Sequence, residues 1–155
     1  MKNTNTLLLK AMTVAAVLVL AGCAGTRPML GVDGGLLKPC PDKPNCVNSQ
    51  AQGSDHFIEP VVFSGELADA RDQLVVAINS MERAEIIESE DSYIRAEFTS
   101  LFFGFVDDVE FYLSPSEQSA LIIAHVRSAS RLGHSDFGVN RERVEAIREK
   151  LKRKE

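Results

Sequence analysis

Tyr93-Ile94-Arg95-Ala96-Glu97-Phe98-Thr99 alternates residue by residue, with Ile94, Ala96 and Phe98 on one side and Tyr93, Arg95, Glu97 and Thr99 on the other. A period of two places successive side chains on opposite faces of a strand, so this segment predicts a half-buried strand with its apolar row on the core. Phe105 to Leu113 repeats the pattern, with Val109, Phe111 and Leu113 expected inward and Asp108, Glu110 and Tyr112 outward. Leu121 to Ser128 is a further strand, and its Leu121-Ile122-Ile123 run predicts the most central place in the sheet. Ser114 to Glu117 is the turn between these two.

Working outward, Ala84 to Ser89 predicts another strand, closed by the Glu90-Asp91-Ser92 turn, and Pro60 to Phe63 a first short one. Leu67, Ala70, Leu74, Ile78 and Met81 fall at helical spacing, so a helix is expected over 66–82, with Ser64 as its N-cap. Val144, Ile147 and Leu151 make the apolar stripe of a last helix, capped by Asn140 after a loop over 128–139. The order is strand, helix, four strands, helix (β-α-β4-α). Its natural packing is an α+β fold, an antiparallel sheet with both helices on one face. The arrangement looks like the TATA-binding-protein and helix-grip folds, which says nothing about DNA binding.

The N-terminus is a targeting segment. Lys2 and Lys10 form a basic start, and Ala11 to Leu20 is an apolar run broken only by Thr13, too short to span a bilayer. It ends in Leu20-Ala21-Gly22-Cys23, a bacterial lipobox in which the Cys23 thiol receives a diacylglyceryl group and becomes the acylated N-terminus. The competing reading is an ordinary signal peptide or an uncleaved anchor. A multiply acylated cysteine anchors effectively permanently, at ~0.8 kcal/mol per buried methylene. Ala24, rather than an Asp, after the cysteine favours the outer membrane over the inner. The expected protein is thus a lipid-anchored envelope protein facing the periplasm, with residues 1–22 a signal peptide. Residues 23–38, with Gly25, Pro28, Gly31, Gly34 and Gly35, read as a flexible tether of roughly 20 Å reach. Residues 39–155 are then a single α+β domain.

The 155 residues carry 17 Lys plus Arg against 22 Asp plus Glu, a formal charge of −5, and losing residues 1–22 removes two lysines to give −7. An acidic balance argues against nucleic acid, whose binders need a net basic face. Hydrophobic residues at 45% and charged residues at 25% are ordinary for a globular domain and exclude wholesale disorder. Of three cysteines, Cys23 is assigned to lipid, leaving Cys40 and Cys46 around Pro41-Asp42-Lys43-Pro44-Asn45. Export to an oxidising compartment makes a local disulfide the leading reading, with a chain-entropy stabilisation of about 2–2.5 kcal/mol less strain. A redox pair would normally be spaced C-x-x-C, and a zinc site needs more ligands.

Leu30-Gly31-Val32, Cys40-Pro41, Pro44-Asn45-Cys46-Val47, Gly104 to Phe111, Val126 to Gly133 and Ser135 to Arg141 carry a resemblance. Together they resemble the bacterial family called domain of unknown function 1499 over nearly the whole mature chain. The resemblance implies an envelope or organelle-lumen domain and no activity.

The segment 127–141 is the main candidate site. Arg127, Arg131 and Arg141 supply fixed positive charge, Ser128, Ser130, Ser135 and Asn140 hydrogen-bonding groups, and Asp136 a carboxylate, just ahead of a helix start that favours anions. One reading is a site for a small anionic ligand such as a phosphate or carboxylate. The other pairs Arg127 and Arg131 with Asp107, Asp108 or Asp136 and leaves the serines to cap turns. His134-Ser135-Asp136 contains triad residue types, but neighbours in sequence rarely converge and there is no G-x-S-x-G elbow. Asp107, Asp108, His125 and His134 have no metal-ligand spacing, so neither metal nor cofactor is expected. His56 reads as a surface residue. Leu101-Phe102-Phe103-Gly104-Phe105 is either core and strand entry or an apolar groove or bilayer-touching loop. Asn140 to Glu155, with seven basic and four acidic residues, reads as a solvated helix face. The expected function is a non-catalytic binding or structural module, its partners being the membrane through its anchor and a small anion or an envelope protein. The alternatives are a periplasmic hydrolase using 127–141 and a carrier of an apolar ligand.

Overall fold

A computed structural model describes residues 24–153 apart from Ser54 and Gln118. The expected signal peptide and Cys23 lie outside the described residues. Eight strands and two helices follow in order: β1 (Val32–Asp33), β2 (Leu36–Leu37), β3 (Cys46–Asn48), β4 (Val61–Ser64), α1 (Leu67–Asn79), β5 (Ala84–Ser89), β6 (Tyr93–Thr99), β7 (Val106–Pro115), β8 (Leu121–Ser130) and α2 (Val139–Lys152). The fold is α+β and mostly antiparallel. It has three more strands than the sequence pattern predicts, because β1, β2 and β3 are two or three residues long and too short to show a period. Among the described residues no helix is long and apolar enough to cross a membrane.

The main sheet runs β3-β8-β7-β6-β5, and β4 also pairs with β8. The two short strands share one long partner: β3 lies along Arg127–Ala129 and β4 along Leu121–Ala124. The centre of the sheet is therefore β7 rather than β8, whose Leu121 and Ile123 are only partly covered. Val109 faces Ala96 and Ser128, and Phe111 faces Ile94 and Val126, so the inward rows stand side by side.

Both helices pack on that face. Leu74 and Ile78 of α1 and Val144, Ile147 and Leu151 of α2 share one core with Ile94, Ala96, Phe98, Val109, Phe111 and Leu113. Neither helix is capped as expected. Ser64 is still strand, and α1 has Glu66 at its N-cap with no side-chain cap bond. Gly138 holds the N-cap of α2 at φ 87°, a left-handed conformation that suits a residue without Cβ. The capping is done from further back. Asp136 accepts from Gly138 N–H at 3.0 Å and Asn140 N–H at 2.9 Å. Asn140 itself is fully buried inside the first turn.

The largest departure is on the other face of the sheet. Arg95, Glu97, Asp108 and Glu110, expected in solvent or only half-covered, are all buried, with Asp108 at 1% exposure and Glu110 at 0%. What covers them includes the segment expected to be a tether. Arg27 reaches Glu97 at 2.5 Å, Gly31 N–H donates to Glu110 at 3.1 Å, and Gln50 ties Leu37 N–H and Gly35 C=O at 2.8 and 2.9 Å. β1 and β2 pair with each other in this stretch, and Leu37 is buried. Glycine and proline here shape a docked strap rather than a free linker.

Candidate functional site

The buried charges form a sheet-wide array. Glu97 stands directly opposite Asp108, and Arg95 and Arg127 flank Glu110 from the two neighbouring strands. Two carboxylates opposite one another repel. Arg131, one residue past β8, answers this: its Nε donates to Asp108 Oδ2 at 2.7 Å and its Nη2 bonds both Asp108 Oδ1 and Glu97 Oε1. Arg95 Nη2 adds a 2.7 Å bond to Asp108. Burial alone would raise both carboxyls, but hydrogen bonds from Arg131 and Arg27 hold Glu97 below its ordinary value, and those from Arg131 and Arg95 do the same for Asp108. Arg131 in turn is pushed upward, first by its bond to Asp108.

Glu110 is held differently. Tyr93 Oη–H donates to it at 2.8 Å, and Arg127 Nη1 makes only a long 3.3 Å contact. Burial, then the Glu110 charge, pushes the Tyr93 hydroxyl far up, so it stays a neutral donor. Arg127 is 7% exposed, and its buried Nε–H, like that of Arg95, has no acceptor among the described residues. A buried unsatisfied donor on a cation is costly, about 1–3 kcal/mol or more, so the array is tolerated rather than fully satisfied.

Arg127 lines a cleft of about 440 Å³ between the strap and β8. Lys38, Arg131 and Asp108 are its other charged residues, with Thr26 and Ser130, while Pro28, Leu30, Pro39, Pro41 and Ala129 make an apolar wall. A neighbouring hollow of about 460 Å³ lies within the hairpin, residues 29–39, where Asp33 and Lys38 offset each other. The cleft, unlike the hollow, has more cations than carboxylates, Lys38, Arg127 and Arg131 against Asp108.

The candidates of the 127–141 segment therefore divide. Arg127, Ser130 and Arg131 reach the cleft. Ser128, Asp136 and Asn140 belong to a separate polar latch beside α2: Ser128 Oγ–H donates to Asn140 Oδ1 at 2.5 Å, and Asn140 Nδ2 donates to Asn45 C=O, Ser130 Oγ and Asp136. Asp136 is desolvated, yet the Asn140 and Gly138 amides keep its pKa below the ordinary value. Asp136 is thus no partner of Arg131. Ser135 Oγ accepts from Phe137 N–H, and exposed Arg141 donates to Asp55 C=O at 2.7 Å.

Sequence reasoning missed Lys38, Arg27, Arg95 and Arg143. Arg143 pairs with Asp107 at 2.5 Å, bonds Asn140 and Ser128, and lies 4.9 Å over the Phe98 ring. Arg148 donates to the Glu59 and Pro60 carbonyls, so this basic residue of α2 clamps the lead into β4 rather than only facing water. Nothing marked these in sequence, since the charged partner of each arginine lies on a different element. His56 is not simply a surface residue: its Nδ1 lies 2.9 Å from Cys46 C=O. Cys40 and Cys46 are joined in a disulfide, with Cα atoms 5.7 Å apart.

Hydrolytic machinery does not assemble around His134, Ser135 and Asp136, because the serine and the aspartate serve the turn and the cap. A different pair, Ser49 Oγ and His125 Nδ1, stands 3.4 Å apart, but Ser49 Oγ already accepts from Val126 N–H. No carboxylate bonds the His125 ring among the described residues, so the orienting group of a triad is missing. No group of three metal-ligating residues occurs among the described residues.

Residues 36–151 match the family described as Protein of unknown function (DUF1499). The chain belongs to this family. No curated protein matches it. The DUF1499 match begins at Leu36, so Leu30-Gly31-Val32, included in the resemblance read from sequence, lies ahead of it. The strap is therefore split by the family boundary: Arg27 and Gly31 fall before it, Lys38 and the disulfide within it.

Proposed function

We infer that this DUF1499 protein is a lipid-anchored envelope module that binds a small anionic group, a phosphate or a carboxylate, in the cleft between the strap and β8. The carrying observation is Arg127, buried and lining the cleft, with a guanidinium whose contact to Glu110 is a long 3.3 Å. Lys38 offers a second cation, and the proline-rich wall would receive an apolar portion of the ligand. Anchoring rests on Leu20-Ala21-Gly22-Cys23, with the outer membrane as the favoured address. A helix-grip-like or TATA-binding-protein-like reading of the fold accompanies this, supported by the strand, helix, four-strand, helix run from Val61 onward.

The test is a thermal-shift and NMR titration of the purified protein with inorganic phosphate, acetate and their alkyl esters or longer homologues. At least one should raise the melting temperature, and Lys38→Ala should weaken it about tenfold, the loss of one charge-assisted hydrogen bond. Saturating additions that move neither the melt nor the Arg127 side-chain signals reject the reading.

A further inference from the structure

Among the described residues, six of the thirteen exposed large apolar residues lie on two loops at one end of the sheet. Thr99 pairs with Val106, and the loop between them displays Leu101, Phe102 and Phe103 at 65%, 86% and 69% exposure, with Phe105 at 45%. This excludes the core reading of that stretch. The 131–138 loop leaves from the same end, since Arg131 N–H donates to Val106 C=O at 3.1 Å, and it displays Leu132 at 42% and Phe137 at 94%. Single exposed leucines need no explanation, but six large apolar side chains on two neighbouring loops do.

The chain leading back to Cys23 ends here as well. Gly25, at φ 67°, lies so close to the second loop that a Cβ on it would stand 3.0 Å from Arg131 Cβ and 3.1 Å from Leu132 Cγ. Two peptide units cannot carry the Cys23 Cα further than about 7 Å from that of Gly25. With the strap docked, an acyl anchor would be attached beside these loops and not at the end of a free linker.

We propose that this end of the domain sits in the membrane interface, and that bilayer lipid is what covers Leu101, Phe102, Phe103, Phe105, Leu132 and Phe137. The proposal rests on acylation of Cys23. Acyl chains must enter the bilayer, and their attachment within about 7 Å of Gly25 brings both loops to headgroup depth. Once the anchor is in, loop insertion is intramolecular and needs little affinity of its own. The loop 101–105 carries no charge, and the nearby surface charges come as both signs, Asp42 with Lys43 and Glu82 with Arg83. That favours apolar insertion over attraction to anionic headgroups.

The protein contains no tryptophan, so one can be added as a reporter. Phe102→Trp, Phe137→Trp and Val62→Trp all replace exposed residues, the last on β4 away from this end. Each full-length variant is expressed in a bacterium that acylates lipoproteins, purified, checked for acyl mass, and placed in phosphatidylethanolamine–phosphatidylglycerol vesicles with brominated acyl chains. Insertion to about 5–10 Å should quench the indole of Phe102→Trp and of Phe137→Trp at least about twofold while leaving that of Val62→Trp bright. Acylated, vesicle-bound protein with all three reporters unquenched overturns the proposal and leaves the anchor standing. Equal quenching in Val62→Trp overturns the orientation. A chain that carries no acyl mass overturns both the anchor and the proposal.

Discussion

The two faces of the sheet are buried by opposite means. Under the helices, Phe111, Val109, Leu74 and Ile147 make a dry core whose stabilisation scales with apolar area, about 25 cal/mol per Å². Under the strap, three arginines with buried side chains meet three carboxylates, and each ion is tolerable only because its partner is present. The first face is tolerant of which apolar residue fills it. The second is specific, since truncating one member strands another.

The largest effects should come from breaking each face at its centre. Phe111→Ala should cost about 3–5 kcal/mol in chemical denaturation, as a cavity replaces a wholly buried ring. Arg131→Ala should cost a similar amount, about 3–5 kcal/mol, by leaving Asp108 and Glu97 opposite each other with only Arg95 on the first and half-exposed Arg27 on the second. The faces separate on rescue. Adding Asp108→Asn should recover a large part of the Arg131→Ala loss, whereas no polar change should recover Phe111→Ala. If Asp136→Asn rescues Arg131→Ala and Asp108→Asn does not, the array described above is wrong.

Acid should sharpen the same contrast. Glu97 and Asp108 both titrate below their ordinary values in the folded state, so their stabilisation is complete above the ordinary carboxylate range. It is lost as pH falls through that range, about pH 4, toward the folded values. Stability of the native protein should therefore drop steeply below about pH 4, and the drop should be shallower in Arg131→Ala. Phe111→Ala should keep the native slope. Parallel curves for all three proteins would show that the charged face does not govern acid unfolding.

The contrast also explains what was legible in sequence. Alternation in Tyr93–Thr99 and around Phe111 gave the strands and the inward row correctly, because apolar side chains announce their own burial. The same alternation placed Arg95, Asp108 and Glu110 outside, because a charged residue reads as solvated unless its partner is known. Here the partners lie on other strands or on the strap, 70 residues away for Arg27 and Glu97 and 79 for Gly31 and Glu110. Short strands such as β1 and β2 carry no period, and glycines made their segment look free. At the candidate site, Arg127 and Arg131 were visible as fixed charges, but Lys38 was not, because only the strap's docking brings it to β8. Asn140 looked like a cap and proved to be the hub of the latch, with Asp136 taking the capping role.

That exchange of roles predicts a smaller effect. Asp136→Ala removes the acceptor for the Gly138 and Asn140 amides and should cost about 1 kcal/mol, within the usual 0.5–2 for a lost cap. Ser64→Ala, by contrast, should leave α1 unchanged, since no side-chain bond caps that helix. Both are read from equilibrium unfolding. Equal losses would return Ser64 to the role expected from sequence.

The smallest effect tests how firmly the strap belongs to the charged face. Arg27 is more than half exposed, at 57% of its side chain, and its bond to Glu97 is shared with the better buried Arg131. Exposed pairs add little to global stability because water screens them and both side chains must be ordered. Arg27→Ala should therefore leave the unfolding midpoint where it was. It should still be felt locally, since Arg27 and the Gly31 amide are the two bonds by which the strap reaches the array. Hydrogen exchange at Gly31 and proteolysis between residues 24 and 31 should both quicken, while the Ile94 and Phe111 amides keep their protection. Should the Phe111 amide lose protection as well, strap and sheet open together and form one cooperative unit. An unchanged rate at Gly31 would instead mean that the Gln50 and Leu37 contacts hold the strap without Arg27.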